Sequence, residues 1–333
     1  MAFLPYRSRR DVLRAFTAGV LCASVGCSRS NDQKAAGNGR FGQVKLALNW
    51  VPEPEFGGFY AGRENGAYKR AGIDIEIRGG GAGVPVLQMV ATGEADFGVV
   101  GADEVINGNA RGADVVPVFA TFQTFPQAIM VHASRGAKNL ADVLTSGTIA
   151  IEPGAPYATF LKKKYGFGKA NLLPYDGGVA KFLADENHAQ QCFATSEPIE
   201  IERNGKKAQV FLIADEGYNP YTVVVIVRRA LWEKNPDLVR AFVRASREGW
   251  RAYLDDPTAA NAVMAKLNTT LAAESWNLVA AAQKRFIEPS EAERDHLGKM
   301  TLERWETLTK QLVELDIVKD PKAPSTYLVK LEN

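Results

Sequence analysis

"VKLALNWVPEPEFGGFYAGRENGAYKRAGIDIEIR" (44–78) decides the fold. It opens on a short apolar run, 44–48, which predicts a strand. It closes on "IDIEIR" (73–78), which alternates apolar and charged residues with the period of a half-buried strand. Between them lie two prolines and the pair Gly57-Gly58, signals of an irregular turn. "GGFYAGRENGAYKRAG" (57–72) then predicts a stretch that starts as loop and becomes a helix closing at Gly72. Strand, helix and strand in that order form the crossover unit that parallel neighbours require.

The same alternation extends in both directions from this unit. Downstream, helices are predicted over 84–95 and 103–112, and strands over 96–101 and 114–122. The pattern restarts with strands at 127–133, 148–153, 170–176, 189–195 and 208–216, separated by helices at 139–145, 155–166, 178–187 and 197–205. After a strand at 222–229 the chain becomes almost wholly helical, over 235–257, 258–267, 271–287 and about 291–316. Regular alternation predicts parallel sheets with helices on both faces. Two such halves in 333 residues predict two lobes facing a cleft. The expected boundaries are 43–125 for the first lobe, 126–221 for the second, and 222–333 for the return and the C-terminal helices.

Upstream, "RSRRDVLR" (7–14) and the mildly apolar "AFTAGVLCASVG" (15–26) read as an export segment over 1–27. At twelve residues this apolar stretch is too short to span a bilayer. Arg9 and Arg10 match a twin-arginine signal, and 24–27 matches a lipoprotein cleavage box with Cys27 as the lipidated residue; ordinary signal cleavage nearby is the alternative. The Ser-, Asn- and Gly-rich residues 28–42 read as a flexible tether. The expected location is therefore the cell envelope, with membrane contact only through a lipid anchor.

The same segment explains the charge. Four arginines against Asp11 make it +3, the whole chain is +2, and the remainder is −1. Nothing in that remainder argues for nucleic-acid binding. With Cys22 and Cys27 in the export segment, Cys192 stands alone, which excludes a disulfide and a multi-cysteine metal site. His132, His188 and His296 are scattered without ligand spacing, so neither metal nor cofactor is expected.

Ligand sites in open α/β sheets lie beyond the carboxyl ends of the strands. The turns at 49–60, 101–104, 152–157, 176–178 and 196–198 fall there. The candidate ligand residues are Asn49, Trp50, Tyr60, Glu104, Tyr157, Glu197 and Tyr221. Asn49 offers a hydrogen-bonding edge. Trp50 offers a stacking face for a flat heterocycle, or else plugs the core. Glu197 offers an acceptor for an amine, or else a carboxylate favoured at a helix start. The tyrosines are candidates for stacking or hydroxyl contacts. Glu53, Glu55, Asp103 and Glu104 bias the cleft toward a cationic or amine-rich ligand. "GGGAG" (79–83) has the wrong spacing for a dinucleotide fingerprint and reads as a tight turn. In "EPGAPYA" (152–158) two prolines remove donors, so a neutral group is expected there rather than an anion.

"LALNWVPEPEFGGFYAGRENGAYKRAGIDIEI", "ATGEADFGVVGADEVINGNARGADVVPV" and "EKNPDLVRAFVRASREGWRAYLDDP" together resemble one superfamily over about 44–290. It contains the ABC-importer substrate-binding proteins for thiamine-pyrimidine precursors, riboflavin and alkanesulfonates, together with the fungal thiamine-pyrimidine synthase. The resemblance implies a type II periplasmic-binding-protein fold: two α/β lobes, two hinge strands near 114–128 and 216–227, and a helical C-terminal region. It implies a monomer that passes a small planar nitrogen heterocycle to a permease and its ATPase. The synthase carries a Lys and a His where this chain resembles it with Val100 and Glu104, and a cysteine cluster where this chain has "GYNPY" (217–221). Those departures disfavour the enzyme. A ligand sensor without a transporter stays open.

Overall fold

The computed structural model describes residues 39–290 and 297–331. The expected export segment with Arg9, Arg10 and Cys27, most of the tether, and His296 lie outside the described residues.

The first half runs β1 (Gly42–Ala47), α1 (Gly57–Glu64), α2 (Ala67–Arg70), β2 (Ile73–Arg78), α3 (Val86–Thr92), β3 (Phe97–Val100), α4 (Ala102–Ala110) and β4 (Val115–Phe122). The second runs β5 (Gln127–His132), α5 (Leu140–Leu144), β6 (Thr148–Ile151), α6 (Pro156–Tyr165), β7 (Asn171–Pro174), α7 (Ala180–Ala184), β8 (His188–Phe193), α8 (Glu197–Arg203) and β9 (Ala208–Leu212). Then come β10 (Thr222–Arg228), α9 (Arg229–Lys234), α10 (Pro236–Asp255), α11 (Thr258–Leu267), α12 (Ser275–Ile287) and α13 (Leu302–Glu314).

The strands form two five-stranded sheets, ordered β2-β1-β3-β10-β4 and β7-β6-β8-β5-β9. The chain leaves the first sheet after β4, enters the second at β5, leaves it after β9 and returns at β10. The sheets are not purely parallel as the alternation predicts. β10 runs antiparallel to β3 and β4, and β5 runs antiparallel to β8 and β9. These are the two strands reached from the other sheet rather than through a helical crossover, so the rule that makes crossover neighbours parallel does not act on them.

Two further differences lie near the C-terminus. Of the expected helix over 291–316, residues 291–296 lie outside the described residues and 297–301 are not helical, since Gly298 takes φ +84 and pairs with Ala120 as a bridge; the helix runs from Leu302. Thr301 then caps α13, its hydroxyl accepting from the Arg304 N–H at 3.4 Å. The short α9 lies between the two segments the sequence resolves.

The Gly57-Gly58 pair has a packing reason. α1 lies against α10, and a Cβ on Gly57 would stand 2.0 Å from the Tyr253 ring, one on Gly58 2.1 Å from Trp250. Trp250 also meets Phe59 edge-on at 5.7 Å, inside the core that holds the first sheet. Gly58→Ala is expected to destabilise the fold by about 1–3 kcal/mol through overpacking. Denaturant unfolding measures it, and an unchanged midpoint would show that the two helices separate freely.

Candidate functional site

The loop after β1 carries the aromatic and acidic residues, and it is fastened from three directions. The backbone N–H of Gly80 donates to the Trp50 carbonyl at 2.8 Å. A Cβ on Gly80 would stand 2.0 Å from the Leu48 carbonyl oxygen, so the triple glycine is the turn that lets the two loops touch. From the C-terminal helices, Asn268 Nδ2 donates to the Pro52 carbonyl at 3.1 Å and Gln283 Nε2 to the Pro54 carbonyl at 2.8 Å. Both side chains are buried, and sequence reasoning missed both.

On this loop Trp50 remains 39% exposed, so its indole does not plug the core. Its side chain lies close enough to the Glu53 carboxylate to lower that group's pKa. The Asn49 side-chain oxygen is buried without a partner. Such an acceptor calls for a donor.

The carboxylates define the electrostatics. Glu53 is pushed up to about 7, by burial first and by the nearby Glu197 second, with the Asn268 amide at 3.4 Å and Trp50 opposing the rise. Glu55 is pushed well above the carboxylate range by burial, with Glu53 and Glu197 adding to it. Glu197 opens α8 in the second lobe, so carboxylates of the two lobes face each other. Burial raises its pKa, although Oε1 accepts from the Tyr175 hydroxyl at 2.7 Å and Oε2 from the Phe193 N–H at 2.9 Å. Each of its oxygens keeps a second lone pair for a ligand.

A second group repeats the arrangement. Asp103 and Glu104 lie in the first turn of α4, and Glu152 of the second lobe acts on both. Burial raises Asp103, Glu152 adding to it, while the Tyr218 hydroxyl at 3.5 Å opposes the rise. Glu104 is pushed up to about 7 by burial first and then by Asp103. Its surface is nevertheless exposed, and one oxygen accepts from the Gly101 N–H at 3.1 Å. A carboxylate that water reaches but protein surrounds lies in a cleft, where water weakens both effects. No Lys, Arg or His is among the causes acting on Glu53, Glu55, Asp103, Glu104 or Glu197.

The tyrosines are placed differently from the expectation. Tyr60 is fully buried in the core beneath the Arg63 guanidinium, 5.0 Å from its ring centroid, and its hydroxyl has no partner. Tyr221 is also buried; its hydroxyl accepts from the Thr301 N–H at 3.0 Å, and Arg304 covers its ring at 3.9 Å. Neither offers an open face for stacking, because helix packing and a guanidinium occupy those faces. Tyr157 is buried, its hydroxyl bonded to Gln191 Oε1, which also accepts from the Glu152 N–H at 2.5 Å. That arrangement shapes the 152–157 turn.

The half-buried Phe125 went unnoticed in the sequence. It sits in the first crossing, 6.5 Å from Tyr157 and 6.0 Å from Tyr218, centroid to centroid. A separate hollow of about 310 Å³, lined by Gly217, Asn219, Thr301, Glu303, Arg304 and Gln311 among others, contains none of Glu53, Glu55, Asp103, Glu104 and Glu197. Among the described residues no group of His, Cys, Asp and Glu is arranged to hold a metal ion.

Two α/β lobes joined by two crossings define a fold of the type II periplasmic-binding-protein class. The chain belongs to the NMT1/THI5-like family, whose model matches residues 53–260. It is 28% identical over 225 residues to the riboflavin-binding protein RibY of Chloroflexus aurantiacus, covering 65% of this chain and 63% of that protein, just under two thirds of its length. It is 21% identical over 289 residues to the formylaminopyrimidine-binding protein of Halalkalibacterium halodurans, covering 84% of this chain and 87% of that one. In structure it matches the periplasmic aliphatic sulphonate binding protein SsuA of Escherichia coli with a TM-score of 0.64, at 17% identity, over 86% of this chain and 92% of the other.

Proposed function

We propose that this chain is the solute-binding protein of an ABC importer, and that it captures a small planar nitrogen heterocycle bearing an amine or a positive charge between its lobes. The observation that carries this reading is the proximity of Glu53 and Glu55 from one lobe to Glu197 from the other, with no Lys, Arg or His among the described residues acting on their pKa values. The buried Asn49 oxygen and the free lone pairs of Glu197 are acceptors, which favours a ligand that donates. Trp50 supplies the stacking face. The two relatives named for riboflavin and formylaminopyrimidine bind flat nitrogen rings, which fits this chemistry. An anion such as a sulfonate does not fit it, because this chain's own carboxylates stand in the first turns of α4 and α8, where a bound anion would take up the helix dipole.

The enzyme reading is weaker. Val100 is buried and aliphatic, Glu104 is a carboxylate, and the second crossing has no cysteine, so a Schiff base and a reacting imidazole both lack their residues. A sensor without a transporter differs only in its partner. The test is purification of the exported chain and mass spectrometry of what accompanies it. An aminated or cationic heterocycle is expected, and an aliphatic sulfonate would overturn the reading.

Export and anchoring belong to the same proposal. Arg9 and Arg10 direct export, and Cys27 carries the lipid that ties the protein, as a monomer, to the envelope near a permease and its ATPase. Cys27→Ala is expected to move the protein from the membrane fraction to the soluble one. Wild type already found in the soluble fraction would remove the anchor from this account.

A further inference from the structure

Arg304 lies in the first turn of α13, outside both sheets, and its side chain reaches both crossings between the lobes. Nη1 donates to the Gln123 carbonyl of the first crossing at 2.5 Å. Nε donates to the Asn219 carbonyl of the second at 2.9 Å, and Nη2 to Asn219 Oδ1 at 3.0 Å and to the Pro220 carbonyl at 3.3 Å. Asn219 Oδ1 accepts in turn from the Phe125 N–H at 2.8 Å, which joins the crossings a second time. The Tyr221 ring covers the guanidinium at 3.9 Å. Among the described residues no carboxylate pairs with Arg304; burial lowers its pKa, Tyr221 opposing.

A largely buried charge with no counter-ion must be held by dipoles. Here the dipoles are the carbonyls of the two segments that any hinge motion has to bend. A planar fork engages several carbonyls at once only while they converge. Beside it Val223, a β-branched residue, takes φ +54, a strained conformation that persists only where its surroundings impose it. The segments so fixed carry Phe125 and Tyr218, whose rings stand together beside Asp103.

We propose that Arg304 is the positioning residue of the hinge: its fork locks the two crossings in one register and thereby sets the angle between the lobes. The inference rests on the two-lobed fold and not on the identity of the ligand. The hinge angle therefore narrows to one value through a residue that lines no part of the cleft between the carboxylates.

The test needs no ligand. The full chain, with Cys22→Ser and Cys27→Ser, takes spin labels at Lys69→Cys and Lys138→Cys, which are exposed on different lobes, while Cys192 is buried. Double electron–electron resonance then reads the interlobe distance. One narrow distribution is expected for this background. Arg304→Lys, which keeps the charge and loses the fork, and Asn219→Ala, which removes the shared acceptor, are each expected to broaden it and move it to longer distance. Arg304→Gln should do so further, and if that variant fails to fold the other two decide. If either Arg304→Lys or Asn219→Ala returns the background distribution, the inference is overturned.

Discussion

Glu197→Gln is expected to weaken binding of the co-purified heterocycle about 10- to 100-fold, the range that losing a charge-assisted hydrogen bond of about 1.5–3 kcal/mol gives. The carboxylate keeps a lone pair on each oxygen beyond those used by Tyr175 and Phe193. A ligand N–H placed there would lose its ionised acceptor in the variant. The fold should not suffer with it. The amide is isosteric, its oxygen accepts from the Phe193 N–H while its NH2 donates to the Tyr175 hydroxyl oxygen, and it removes a like charge that acts on Glu53 and Glu55. The apo melting temperature is therefore expected to stay level or rise while calorimetric affinity falls. Trp50→Ala should cost less, about 1 kcal/mol of stacking. Wild-type affinity for Glu197→Gln would place this residue among the structural caps.

The fold was legible in the sequence because short, regular elements follow local periodicity. "IDIEIR" became β2 residue for residue, and "TAANAVMAKL" became α11 over the same ten positions. The site was legible only in part. The turn after the first strand and the acidic helix starts follow from the rule about strand ends, so Trp50, Glu104 and Glu197 were legible as candidates. What fixes them was not. Asn268 and Gln283 lie more than two hundred residues from the loop they hold, and nothing local marks a side chain that will meet a distant carbonyl. Tyr60 misled for the opposite reason. It follows a glycine pair that looked like an open turn, whereas those glycines exist to bring α1 against Trp250 and Tyr253, and that contact buries Tyr60 with them. Arg304 carries no motif at all, and its role exists only where two crossings and a terminal helix meet.

Affinity for a cationic ligand is expected to rise between about pH 6 and pH 8, because Glu53 is pushed from 4.5 up to about 7, with the more exposed Glu104 shifted in the same direction. Below that value the carboxyls hold protons, and a cation must displace them. Each carboxyl that must ionise lowers affinity by about tenfold per pH unit on the acid side and leaves it flat above. Stability of the empty protein runs the other way. The folded chain binds more protons than the unfolded one between 4.5 and about 7, so the stability contributed by protonated Glu53 is present at low pH and lost as pH rises through 7. The ligand-free melting temperature is thus expected to fall from pH 5 to pH 7.5, while the ligand-induced rise grows over the same interval. Calorimetry in two buffers of different ionisation enthalpy reads the released protons directly. Glu53→Gln separates the protein's titration from that of the ligand's own amine, since it should flatten only the protein's share. Affinity that stays constant from pH 5.5 to pH 8, in the wild type and in Glu53→Gln alike, would mean that these carboxylates do not face the ligand. The like charges of the two lobes would then be a cost of closure that nothing in the cleft relieves.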